Sequence, residues 1–166
     1  MERSSESEEL VGEWFAAISR GDASVVDRYV PADPVVRVVG TDPDEWFQGG
    51  ELVAESLRGE IAGAGRDLTY TPDETEGYRE GDVGWAAVRL TVSFPDGKRI
   101  QSRWTAVLVR REGWKFVQTH ASIAVPTKRS AGPKRVSPEE TALPPNRPNE
   151  AHDSHVPTVP RAARYG

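Results

Sequence analysis

Three turn dipeptides in the second half of the chain, Gly81-Asp82, Asp96-Gly97 and Glu112-Gly113, constrain the fold most strongly. Each separates two runs rich in Val, Trp, Phe and Thr, the residue types that suit a pleated surface. Asp-Gly between such runs is among the strongest short hairpin signals, because hairpin turns need positive φ. Turns this short leave no length for a crossover connection, so successive strands must pair antiparallel. From Asp67 onward the chain therefore reads as a four-stranded antiparallel meander.

The part before the meander reads as helical. Ser5 and Glu8 have capping-box spacing, and Leu10, Val11, Trp14, Phe15 and Ile18 make one apolar stripe that Gly21 ends. Asp22 is placed to cap a short second helix with Val25, Val26, Tyr29 and Val30 inward, ended by Pro31. Val35 to Val39 reads as a strand. Gly40 to Gly50 reads as a loop that carries two large aromatics, Trp46 and Phe47. Val53, Leu57 and Ile61 then recur at four-residue spacing and predict a third helix. Helices first and a meander afterwards give the α+β class.

The last 41 residues have a different composition. Residues 126–166 hold eight of the 13 prolines, two of the three His and a single aromatic. Their seven Lys/Arg against four Asp/Glu make them about +3, whereas residues 1–125, with 14 basic and 22 acidic residues, carry about -8. Such a segment has too little apolar surface to offset chain entropy. The expected organisation is a domain over 1–125 and a Pro-rich, disordered tail over 126–166. His152 and His155 in that tail have nothing nearby to fix a metal-binding geometry.

Composition also narrows function. The net charge of -5 argues against a general nucleic-acid binder, which needs a basic face. With no Cys, disulfides, thiol catalysis and Cys-ligated zinc are excluded. No apolar run approaches the roughly 20 residues that span a bilayer. The acidic, polar start is unlike a secretory leader, so a soluble cytoplasmic location is expected. No motif calls for a cofactor or a metal.

Treating Glu112-Gly113 and Asp96-Gly97 as two-residue turns sets a register. It places Thr105 opposite His120, Arg103 opposite Ser122 and Val107 opposite Gln118, and it sets Arg103 against Leu90. One face then holds Ala86, Val88, Leu90, Val92, Phe94, Val107, Val109, Trp114 and Phe116, with Arg103, Thr105, Gln118, His120 and Ser122 clustered at one end. The other holds Trp85, Trp104, Leu108 and Ile123 among others. Both faces are too apolar for open solvent. Three helices cover one of them; a second copy of the chain is expected on the other, making a homodimer through Trp85, Trp104, Leu108 and Ile123.

These residues in this order resemble the SnoaL-like domains of the nuclear transport factor 2-like superfamily. The likeness is carried by Gly40-Thr41-Asp42-Pro43-Asp44-Glu45-Trp46-Phe47-Gln48-Gly49, Gly81-Asp82-Val83-Gly84-Trp85, Arg103-Trp104-Thr105-Ala106-Val107-Leu108 and Gly113 to Ser122, and it covers residues 7–125. It implies a cone-shaped α+β roll with a cavity between sheet and helices. It also implies dimerisation through the sheet's outer face. Functions in the superfamily range from isomerases, cyclases, dehydratases and epoxide hydrolases to non-catalytic binding and assembly domains, so fold alone decides little.

The candidate site follows from the register and the resemblance together. His120 is either a general acid/base or a structural His of the pocket wall. Arg103 either holds an anion or pairs internally with Glu45 or Asp42. Thr105, Gln118 and Ser122 are orienting groups, Glu45 is the pocket carboxylate, and Trp46 and Phe47 either form a cover or, in at least one case, pack in the core. The leading expectation is a small-molecule-binding domain without turnover. The alternatives are a cyclase, isomerase or dehydratase using His120 and Arg103, and a non-catalytic assembly domain.

Overall fold

The structure, a computed structural model, describes residues 1–63 and 67–124. The expected 126–166 tail lies outside the described residues. Three helices, α1 (Ser5–Ser19), α2 (Ser24–Tyr29) and α3 (Gly50–Ala62), pack on one face of a curved sheet. Its strands are β1 (Glu2–Arg3), β2 (Arg37–Val39), β3 (Trp46–Gln48), β4 (Thr69–Glu80), β5 (Val83–Ser93), β6 (Arg99–Arg111) and β7 (Gly113–Ile123). Their order is β1-β4-β5-β6-β7-β2-β3, with β2 parallel to β7 and every other pair antiparallel. None of the described helices is long and apolar enough to cross a membrane.

The helices form where the apolar stripes place them. Leu10, Val11, Trp14 and Phe15 on α1, Val25 and Val26 on α2, and Val53 and Ile61 on α3 are all buried. The N-cap of α1 is Ser4, one residue before the expected Ser5; its side chain accepts from the Ser7 amide at 3.2 Å. Glu8 is thereby released from a capping box, and its carboxylate accepts instead from the Gly77 amide of β4 at 3.1 Å. Trp14, Phe15, Trp104 and Phe116 make the aromatic centre of the core through edge-to-face pairs with centroids 5.1–5.4 Å apart.

Two single residues correct the predicted sheet faces. At the β5–β6 turn, Phe94 bonds Lys98 and the Gly97 amide donates to the Phe94 carbonyl. The loop is thus Pro95-Asp96-Gly97, three residues rather than two, with Pro95 suited to the second position of a type I turn and Gly97 at φ +84°. Arg103 consequently pairs with Arg89, not Leu90. At the β6–β7 turn, Arg111 pairs with Gly113, and Val117 is then an extra residue between the pairs Leu108–Phe116 and Val107–Gln118. That bulge restores the expected pairs Thr105–His120 and Arg103–Ser122, but on the opposite face. Trp104, Ala106 and Leu108 turn inward, and Arg103, Thr105 and His120 are exposed.

The predicted interface residues divide in the same way. Trp104 and Leu108 are 7% and 0% exposed, part of the core beneath the helices. Trp85 does lie on the outer face, half-buried against Tyr78 in a stacked pair with centroids 5.6 Å apart. Ile123 lines the cavity described below.

Candidate functional site

A cavity of about 330 Å³ opens between α1, α3 and the inner face of the sheet. Phe15 and Ile18 of α1 form one wall, and Leu57 and Ile61 of α3 form another. The sheet supplies Leu90, Val92, Ser102, Trp104, Thr119, Ala121 and Ile123. The five sheet residues from Ser102 to Ile123 reach the cavity because of the three-residue turn and the bulge, which turn these stretches of β6 and β7 inward. Such an apolar enclosure with a few polar groups is the usual form of a small-molecule site.

The polar groups are unequal. Ser102 is buried and its hydroxyl donates to the Ser122 carbonyl at 3.0 Å, so it is already occupied. Glu45 folds back over its own loop, where one carboxylate oxygen accepts from the amides of Thr41 (2.7 Å) and Asp42 (3.0 Å). Gly40 permits this: a Cβ there would stand 2.0 Å from that same oxygen. Glu60, on the cavity edge of α3, has no hydrogen-bond or ion-pair partner among the described residues. Burial of its head lifts its carboxyl above the usual carboxylate range, and the charge of Glu45 lifts it further, although by area the residue as a whole keeps an open side to solvent.

Tyr70 completes the set. Its backbone is held to the end of α1 by the Ser19 hydroxyl, which accepts from the Tyr70 amide at 2.9 Å and donates to the Phe15 carbonyl at 2.8 Å. The Tyr70 ring stacks against Phe15 and lines the cavity. Burial raises the affinity of its hydroxyl for the proton, and Glu60 adds to the effect. Among the described residues, no Lys, Arg or His lines the cavity.

The predicted site residues therefore separate. Glu45 and Phe47 line the cavity. Trp46, expected as part of a cover, belongs to strand β3 rather than a loop, is 64% exposed and lies beneath the Arg37 guanidinium at 5.2 Å. Arg103, Thr105 and Gln118 are exposed on the outer face, as is His120, and Ser122 is half-buried in the same row. None of these five lines the cavity. Arg103 reaches the Ile123 carbonyl at 3.4 Å, not Glu45 or Asp42. Sequence reasoning missed Glu60 and Tyr70. The spacing of Ser56 and Glu60 beside the Val53-Leu57-Ile61 stripe was the available signal for the first.

Comparison with known proteins agrees with this architecture. The family model described as SnoaL-like domain matches residues 8–126. This chain belongs to the SnoaL-like domain family. No curated protein sequence matches it significantly. Among solved structures, a nuclear transport factor 2-like protein of unknown function from Pseudomonas putida is 16% identical with a TM-score of 0.64, over 75% of this chain and 88% of that one. A candidate ketosteroid isomerase from Shewanella frigidimarina is 19% identical with a TM-score of 0.61, over 72% and 96%. A candidate dehydratase of the same fold family from Streptomyces avermitilis is 16% identical with a TM-score of 0.61, over 73% and 95%. At these identities the SnoaL-like chain shares their fold, and its chemistry rests on its own residues.

Proposed function

We propose that this SnoaL-like domain binds a small, largely apolar molecule in the cavity between α1, α3 and the sheet. The observation that carries the reading is the cavity itself: about 330 Å³, walled by aromatic and aliphatic side chains, with Glu60 and Tyr70 facing it. Shielding apolar ligand surface at about 25 cal/mol per Å² supplies the driving force, and the few polar groups supply orientation. Native mass spectrometry tests this on the purified chain, stepped from gentle to denaturing conditions. A released small molecule, lost in Ala121→Phe where the added ring fills the cavity, supports the reading. A protein that arrives empty and takes up no apolar probe such as 1-octanol defeats it.

The same reading includes a homodimer through the outer sheet face, centred on Tyr78, Trp85 and Val107 rather than on Trp104 and Leu108. Support comes from the pairing of Tyr78 with Trp85 and of Trp85 with Val107, which makes one apolar row on a face that no helix among the described residues covers.

One observation favours turnover as a second reading. Glu60 and Tyr70 line the same cavity, and a carboxyl and a phenol in one apolar enclosure are the equipment of a proton-transfer site. Glu60 would then shuttle the proton, and Tyr70 would donate to the developing oxyanion. His120 and Arg103 would have no part in it. Glu60→Gln should cost about 10²–10⁴ in turnover of a substrate identified from the bound molecule, without loss of folding. Unchanged turnover would remove Glu60 from the chemistry.

A further inference from the structure

The charge of the cavity lining narrows the ligand class. Its ionisable groups among the described residues are Glu45, Glu60 and Tyr70, all of which are neutral or negative. A carboxylate or phosphate ligand would meet only like charge there, in surroundings that screen poorly. Glu45 spends one oxygen on the Thr41 and Asp42 amides, which leaves its other oxygen available. Glu60 and Tyr70 line the cavity, and neither the Glu60 carboxylate nor the Tyr70 hydroxyl has a hydrogen-bond partner among the described residues. Two carboxylates that line one cavity can share a single cation placed between them. Beyond them, Phe15, Tyr70 and Trp104 offer ring surface that suits the apolar body of such a ligand and the hydrogens next to its charge.

We propose that the cavity takes an organic cation, an amine on an apolar body, with its ammonium group between Glu45 and Glu60. This rests on the small-molecule reading above and specifies the ligand class for it. The body occupies the apolar depth toward Trp104 and Ala121, and the head remains at the polar mouth formed by α3 and the loop before β3. Ammonium N–H groups donate to both carboxylates. Among the described residues, the other titratable groups facing Glu60 are Glu45 and Tyr70.

Three probes of equal chain length separate the possibilities: octylamine, 1-octanol and octanoate, titrated at pH 7.5 by calorimetry and by quenching of tryptophan fluorescence. Octylamine should bind roughly tenfold or more tighter than 1-octanol, with octanoate weakest. In Glu60→Gln the preference for amine over alcohol should shrink to about threefold or less, while 1-octanol affinity is retained. Retained octanol binding also shows that the variant is folded and its cavity intact. Binding of 1-octanol with no preference for octylamine, or a preference that survives Glu60→Gln, overturns the cation proposal and leaves the small-molecule reading standing. Tighter binding of octanoate overturns it as well. Failure of all three probes on a folded protein overturns both.

Discussion

The two faces of the sheet are built from alternate residues of the same strands, yet they carry opposite chemistry. On β6, Ser102, Trp104, Ala106 and Leu108 face the helices and are buried, while Arg103 and Thr105 between them face away and are exposed. On β7, Thr119 and Ala121 line the cavity, and His120 between them lies in the outer row with Thr105 and Val39. The inner side is apolar around the cavity but for Ser102 and Thr119, and the outer carries Arg103, His120 and the ion pair of Arg89 with Glu74. The difference teaches that in a strand the identity of neighbours says little about shared function; parity decides it.

The largest effect should come from exchanging a residue between these environments. Trp104→Ala removes an aromatic that contacts both Phe15 and Phe116, and should cost about 3–5 kcal/mol in urea unfolding. A cost below 1 kcal/mol would mean that Trp104 is not in the core, and the face assignment would fall with it. On the outer face, Trp85→Asp should leave a folded chain but shift a dimer to monomer in sedimentation. A dimer that persists would place the interface elsewhere.

Smaller effects probe how the faces are set. Gly97 holds φ +84° in the three-residue turn, so Gly97→Ala should cost about 1 kcal/mol by the same unfolding measurement. No loss would mean that Gly97 does not hold a positive φ, and the three-residue turn would fall with it. Glu60→Gln tests the charge of the inner side. A carboxyl raised above its unfolded value binds more protons in the native state, so its contribution to stability falls as pH rises through the window above the ordinary carboxylate value. The variant should therefore gain thermal stability over the parent near pH 7.5 and show a smaller difference near pH 4, where protonation removes much of the charge from this carboxyl. A gain of equal size at both pH values would point to packing rather than charge. The smallest effect is expected for His120→Ala, within about 0.5 kcal/mol of the parent and with ligand occupancy unchanged. Loss of the ligand in that variant would bring His120 back to the site.

Much of the fold is legible in local pattern. The stripe Leu10-Val11-Trp14-Phe15 and the spacing Val53-Leu57-Ile61 reveal α1 and α3 with their buried faces, because a 3.6-residue period survives any tertiary context. The three turn dipeptides reveal the hairpins, and the expected pairs Thr105–His120 and Arg103–Ser122 form, although the bulge at Val117 restores them rather than a two-residue turn at Glu112-Gly113. Strand β3 is less legible: Trp46-Phe47-Gln48 is three residues among turn formers, and it is a strand because β2 offers it an edge. The candidate site was least legible, since Glu45 and Phe47 were found but Glu60 and Tyr70 were not.

The sequence by itself therefore determined the class, the element order and the composition of each strand, all of which depend on residues within a few positions of one another. Only the tertiary structure decided which half of each strand's residues meets the helices. That choice turns on one added residue at Pro95-Asp96-Gly97 and one at Val117. Because side chains alternate with a period of two, a single residue in a turn or bulge exchanges a whole face, while leaving the local pattern of the strand unchanged.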